Sequence, residues 1–150
     1  NGSHLAVGNA AEKLQIVEIA RGSPFVLREV RHGSSVKCVA WSSNGAHIAT
    51  GTEDGLWLTE ATTGEVLQRI SHRQPVTSVA FSLNGAYIVT GALNGLLRIW
   101  EVDTAVLRRL VQLDSFVRSV AWARSGTRLA TVCSSGMVQI MNQHGLRLMV

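Results

Sequence analysis

Asn44-Gly45-Ala46-His47-Ile48-Ala49-Thr50-Gly51 recurs as Asn84-Gly85-Ala86-Tyr87-Ile88-Val89-Thr90-Gly91. A weaker copy follows at Ser125-Gly126-Thr127-Arg128-Leu129-Ala130-Thr131-Val132, and Asn1-Gly2-Ser3-His4-Leu5-Ala6-Val7-Gly8 is a fourth. The copies start at 1, 44, 84 and 125, so the steps are 43, 40 and 41 residues. A period near 40 with strand-like content is the signature of a propeller array, in which each repeat is a supersecondary unit stacked on its neighbours. This organisation moves the expected function away from catalysis.

Within the second repeat, Val36 to Ser42 is β-branched and aromatic and ends at the turn signal Ser43-Asn44-Gly45. His47 to Thr52 predicts a second strand, closed by Glu53-Asp54-Gly55, where Asp-Gly is expected to supply the positive φ of a tight hairpin. Leu56 to Ala61 and the more polar Glu65 to Ser71 complete a four-stranded meander. The third repeat gives Val76–Ser82, Tyr87–Ala92, Leu96–Val102 and Val106–Gln112. The fourth gives Val117–Ala123, Arg128–Cys133 and Met137–Asn142, then a short tail from His144. No segment has helical periodicity, so the expected class is all-β: antiparallel four-stranded blades in a partial, open array. Residues 1–43 then hold a partial blade without its first strand, plus the leading strand of the next. Complete blades are expected at 36–71 and 76–112, and a last one with a short final strand at 117–150.

About 3.6 such units fill the 150 residues, against about four to eight blades in a closed ring. Both ends fall inside a repeat, so a segment of a longer propeller is the simplest expectation. Asn1-Gly2-Ser3-His4 is in register with Asn44 to His47 and is read as native, and its Asn-Gly-Ser acceptor pattern as chance. If an open array bared about 500 Å² of apolar surface, roughly 12 kcal/mol of stabilisation would be forfeited. That equals much of a typical domain's net stability of about 5 to 15 kcal/mol.

Net charge is +4, with twelve Arg against two Lys and an isoelectric point near 9.8. The basic residues form no run longer than Arg108-Arg109, so nucleic acid is not favoured as a partner. Cys38 and Cys133 occupy different repeat positions and make neither a disulfide framework nor a metal pair; a reducing, intracellular compartment fits. No apolar run approaches a membrane span. The serine-elbow, zinc-protease, phosphate-loop and dinucleotide patterns are all absent, and no cofactor or metal is expected. Val36, Val76 and Val117 share one aligned position and Trp41, Phe81 and Trp122 another, which marks a core column.

These units resemble the WD40 repeat. Val76-Thr77-Ser78-Val79-Ala80-Phe81-Ser82 matches its first strand, and Arg98-Ile99-Trp100-Glu101 its closing motif with Glu for Asp. The resemblance implies a hydrogen-bonded network of His, Ser/Thr, Asp and Trp in each unit. The third unit supplies His72, Thr90 and Trp100 with Asn94 for Asp; the second supplies His32, Thr50 and Asp54 with Thr59 for Trp. The fourth has Leu113, Ser135 and Met141 at the three variable places, and the first has Val17 for Trp. Leu113 with Met141 reads as an apolar replacement of a network that would be costly if half satisfied. His32 and His72, one per repeat, read as structural punctuation and not as ligands. Trp57 is left open between core and surface, because a one-residue shift reverses every side chain.

Strand order puts the loops before each first strand and the second hairpins at one end of the blades. Arg31, Gly33, Glu53, Arg73, Gln74, Asn94, Asp114 and Phe116 fall there, with His32 and Asp54, and the resemblance implies that peptide partners bind at this end. Arg31 and Arg73 would form an arc for a carboxylate or phosphate, or else two solvated loop arginines. Phe116 would anchor a peptide, or cover the gap left by the missing histidine. The leading expectation is a protein-binding scaffold. The alternatives are a self-associating half-propeller and a phosphopeptide or nucleic-acid reader that uses the arginine excess.

Overall fold

The computed structural model describes residues 2–19, 23–144 and 146–149. Asn1 and Val150, at the two ends of the repeat alignment, lie outside the described residues. Among the described residues every regular element is a strand. The first sheet contains β1 (His4–Gly8), β2 (Lys13–Glu18) and β3 (Phe25–Arg31). The second contains β4 (Val36–Trp41), β5 (His47–Thr52), β6 (Gly55–Glu60) and β7 (Val66–Ser71). The third contains β8 (Val76–Phe81), β9 (Tyr87–Ala92), β10 (Leu96–Glu101) and β11 (Leu107–Gln112). The fourth contains β12 (Val117–Trp122), β13 (Arg128–Cys133), β14 (Val138–Asn142) and β15 (Arg147–Met149). All ladders are antiparallel between consecutive strands, so each sheet is a meander, and the tail after His144 contributes its last strand.

The sheets stack because their middle strands are apolar on both faces. Ile48, Ala49, Thr50, Gly51 and Thr52 are all buried, although alternate residues point opposite ways. Three core clusters lie between successive sheets. Leu14, Ile16 and Val30 meet Ile48 and Ala61; Ala49, Leu56 and Leu58 meet Ile88 and Trp100; Val89, Leu97 and Ile99 meet Leu129 and Met141. The aromatic column joins these clusters, with Phe81 buried and Trp41 and Trp122 half-buried.

Glycine in the second strand sets how closely the sheets approach. A Cβ on Gly8 would stand 2.3 Å from Val36 Cγ1, on Gly51 2.6 Å from Val76 Cγ1, and on Gly91 2.3 Å from Val117 Cγ1. The aligned residue of the fourth sheet is Val132. The first strand of a following sheet therefore lies against a bare backbone at three places and would meet a side chain at the fourth.

One turn departs from expectation. Gly55 does not have a positive φ; it is the first residue of β6, and its amide donates to Thr52 Oγ1 at 3.1 Å. Glycine is required there because a Cβ would lie 2.2 Å from the Ile70 carbonyl oxygen. The corresponding hairpins of the third and fourth sheets do use left-handed glycines, Gly95 at φ 75° and Gly136 at φ 86°. The second sheet's hairpin is thereby one residue shorter. Trp57 pairs with Thr50, where the third sheet pairs Arg98 with Thr90 and the fourth pairs Gln139 with Thr131.

Candidate functional site

Each boundary loop carries a buried group into the sheet that follows it. His32 Nδ1 lies 3.2 Å from the Val30 carbonyl oxygen, and Nε2 lies 2.6 Å from Thr50 Oγ1. A carbonyl only accepts, so Nδ1 carries the proton and Nε2 accepts from the threonine hydroxyl. The third sheet extends this chain by one link. Trp100 Nε1–H donates to Thr90 Oγ1 at 3.1 Å, Thr90 lies 3.2 Å from His72 Nε2, and His72 Nδ1 lies 3.1 Å from the Ile70 carbonyl. Burial pushes the pKa of His72 down to about 4, with a smaller push from Arg98, and burial also lowers that of His32. Both rings are neutral at pH 7 and suited to accept, not to donate a proton in catalysis.

Asp54 and Asn94 lie outside these chains, which corrects the expectation drawn from resemblance. Both are exposed. Asp54 Oδ1 accepts from Thr52 Oγ1 at 3.5 Å and acts on His32 only through its charge. Asn94 Oδ1 accepts from the Leu96 amide at 3.2 Å. In the second sheet the aromatic partner is Trp57, not the residue aligned with Trp100. Trp57 is 7% exposed, its ring centroid is 4.4 Å from that of His32, and the Arg69 guanidinium lies 4.0 Å over its ring. Thr59, at the Trp100 position, is buried with its Oγ1 unpartnered.

The apolar replacement in the fourth sheet is incomplete. Leu113 and Met141 are buried together in the core, but Thr131 Oγ1 and both amide atoms of Gln139 are buried without a hydrogen-bond partner. Cys38 offers no chemistry either, since burial pushes its thiol up to about 12 and so keeps the thiolate from forming.

The boundary loops and second hairpins form one end of the sheets, stapled by backbone bonds. The His72 amide donates to Asp54 O at 2.7 Å, Leu113 to Gly95 O at 2.9 Å, and Ser134 to Phe116 O at 2.9 Å. Arg31, Glu53, Arg73, Gln74, Asn94 and Asp114 are all exposed on this end. Arg31 Nε is 4.0 Å from Glu29, and Lys37 Nζ is 2.9 Å from Glu53. Arg31 and Arg73 sit at successive sheet boundaries. Phe116 is 39% exposed beneath Arg118, whose guanidinium carbon lies 5.6 Å from the ring centroid. Leu113, not Phe116, fills the space of the missing histidine.

Residues 25–57 and 64–101 match the family model described as WD domain, G-beta repeat. The chain belongs to the WD40-repeat family. The matched segments span the His32–Thr50 and His72–Thr90–Trp100 chains described above. No curated protein matches the chain significantly. Among the described residues no helix is long and apolar enough to cross a membrane, and no group of three or more His, Cys, Asp or Glu side chains is placed to hold a metal ion. The sequence reading missed the roles of Trp57 and Gln139. The second hairpin holds two residues between its strands in the second sheet and three or four in the other sheets, and that shortfall is the signal that places Trp57.

Proposed function

We propose that this WD40 chain is an interaction scaffold whose loop end receives a peptide or protein partner. WD40 repeats generally mediate protein–protein interaction and are typically not enzymes, which supports the class. The observation that carries the loop-end reading is the pairing of rigid loops with exposed recognition groups. Phe116, Arg31 and Arg73 stand out from backbone that is hydrogen-bonded across each boundary. An aromatic anchor and forked guanidinium donors, held without loss of loop entropy, suit a segment that carries an apolar side chain near a carboxylate. Peptides selected from a displayed library on this chain should lose at least tenfold in affinity to the Arg73→Glu, Phe116→Ala variant. Undiminished binding by that variant contradicts the reading. Strong weakening of the wild-type complex by salt, together with capture of RNA, would point instead to a phosphate reader.

Self-association is the second reading, favoured by the outer faces of the end sheets. Leu5, Val7 and Val26 on the first sheet and Val138 and Leu148 on the fourth are 42–52% exposed. The strand register places Val138 on the face that Leu97 uses to meet the next sheet. Light scattering across a dilution series, with Val138→Glu as the breaking variant, tests it. A mass that stays at one chain throughout contradicts it.

A further inference from the structure

Arg28, Gln68 and Arg109 occupy one repeat position, paired in the ladders with Ile16, Leu58 and Ile99. At two boundaries this side chain ties the sheet to the next one. Gln68 Nε2 donates to Val102 O at 3.1 Å and Asp103 O at 3.4 Å, and Arg109 Nε donates to His144 O at 3.1 Å. At the first boundary the tie is unmade. Arg28 Nη1 turns back to the neighbouring Leu27 carbonyl at 2.7 Å, and among the described residues no other hydrogen bond or ion pair engages its guanidinium. Its carbon stem lies beside Gly64.

The consequence is a cleft of about 630 Å³ between the first and second sheets, at the end opposite the candidate loops. Ile16, Leu27, Trp41 and Ala61 give it an apolar lining, and Arg28 and His4 are the ionisable groups among its described lining residues. The cleft size falls within the roughly 300 to 1,000 Å³ of ordinary ligand sites, which likewise combine apolar walls with a few polar groups. Its walls are the edges and turns of two sheets, so a narrow, extended occupant fits better than a compact one.

We propose that this cleft binds an extended acidic peptide segment of a partner protein. An aliphatic or aromatic side chain enters between Trp41 and Leu27, and an adjacent carboxylate accepts from the Arg28 guanidinium. The ligand takes the place of the tie that Gln68 and Arg109 make at the other boundaries. Forked guanidinium donors pair with a carboxylate in bidentate fashion, and no described lining residue is a carboxylate that would repel it. The proposal does not depend on the loop-end reading, because the two surfaces lie at opposite ends of the sheets.

The test is a titration of the nitrogen-15-labelled chain with the capped pentapeptide Glu-Leu-Glu-Leu-Glu, with Lys-Leu-Lys-Leu-Lys as its charge-reversed counterpart. The acidic peptide is expected to shift the Trp41 indole and Gly45 amide signals saturably, and the basic peptide to leave them in place. Arg28→Glu should weaken binding at least tenfold. Arg28→Gln, which shortens the side chain to that of Gln68 and lets it tie the boundary, should weaken it at least fivefold. Arg28 is exposed, so both variants are expected to keep the wild-type amide spectrum. Arg73→Glu, at the other end, should change nothing. Equal binding of the two peptides, no saturable shift, or unaltered affinity in Arg28→Glu overturns the proposal. Loss with Arg73→Glu in place of Arg28→Glu overturns it too, and in that case leaves the loop-end reading standing.

Discussion

Trp57 stands directly across the ladder from Thr50 and stacks on His32, with ring centroids 4.4 Å apart. The aromatic sits two positions back along the strand from the place of Trp100, on the same sheet face, and the one-residue-shorter hairpin sets it opposite Thr50. The ring is also capped by Arg69 at 4.0 Å. Truncation would strip both contacts and open a cavity beside the histidine. Trp57→Ala is expected to cost about 3 kcal/mol, read from the denaturant midpoint, and Trp57→Phe markedly less. Thr59→Val at the vacated tryptophan position should be neutral or stabilising, since its buried hydroxyl has no partner.

Acid sensitivity follows from His72. Its native pKa of about 4 lies below the ordinary histidine value of 6.5, so between those values the unfolded chain binds more protons than the folded one. Stability is therefore complete above about pH 6.5 and falls as the pH drops toward 4, by on the order of 3 kcal/mol for this residue. His32 acts in the same direction. Unfolding midpoints measured from pH 7 to 4.5 should fall steeply in the wild type and less steeply in His72→Gln.

The fourth sheet holds its polar groups at a loss. Thr131→Val with Gln139→Met would remove three buried atoms that lack hydrogen-bond partners while preserving side-chain volume. The pair of substitutions should raise stability by about 1 to 3 kcal/mol in a denaturant titration. Thr90→Val in the third sheet should not, because Thr90 links Trp100 to His72.

Sheet spacing rests on the second-strand glycines. Gly91→Ala would place a methyl group 2.3 Å from Val117 Cγ1, and overpacking of this kind costs about 1 to 3 kcal/mol. Val117→Ala removes the nearest of these contacts and leaves its Cβ at 2.7 Å, so the double variant should be more stable than the sum of the two single effects by about 1 kcal/mol. A double-mutant cycle reads this coupling directly.

The repeat and the all-β class were legible because they rest on periodic features: the Asn-Gly turns, the valine and aromatic columns, and the Thr-Gly pairs. What escaped was set by length and direction. Gly55 and Trp57 depend on a hairpin shorter by one residue, which changes which residues face each other without changing their types. Asp54 and Asn94 align with network positions, yet alignment does not say whether a short side chain turns inward or toward its own backbone. The inter-sheet tie had no readable signature, because Arg28, Gln68 and Arg109 differ in type and only the ladder register brings them to one position. Phe116 was legible as a candidate loop aromatic, and it is exposed at the loop end.

Amide hydrogen exchange of the chain, alone and saturated with a library-selected peptide, tests most directly whether the loop end is the recognition surface. The expected result is slowed exchange at residues 31–35, 53–54, 73–74, 94 and 114–116, with the outer faces of the first and fourth sheets unchanged. Protection confined to β1 and to β14–β15, or none at the loops, would contradict the scaffold reading and leave self-association as the better description.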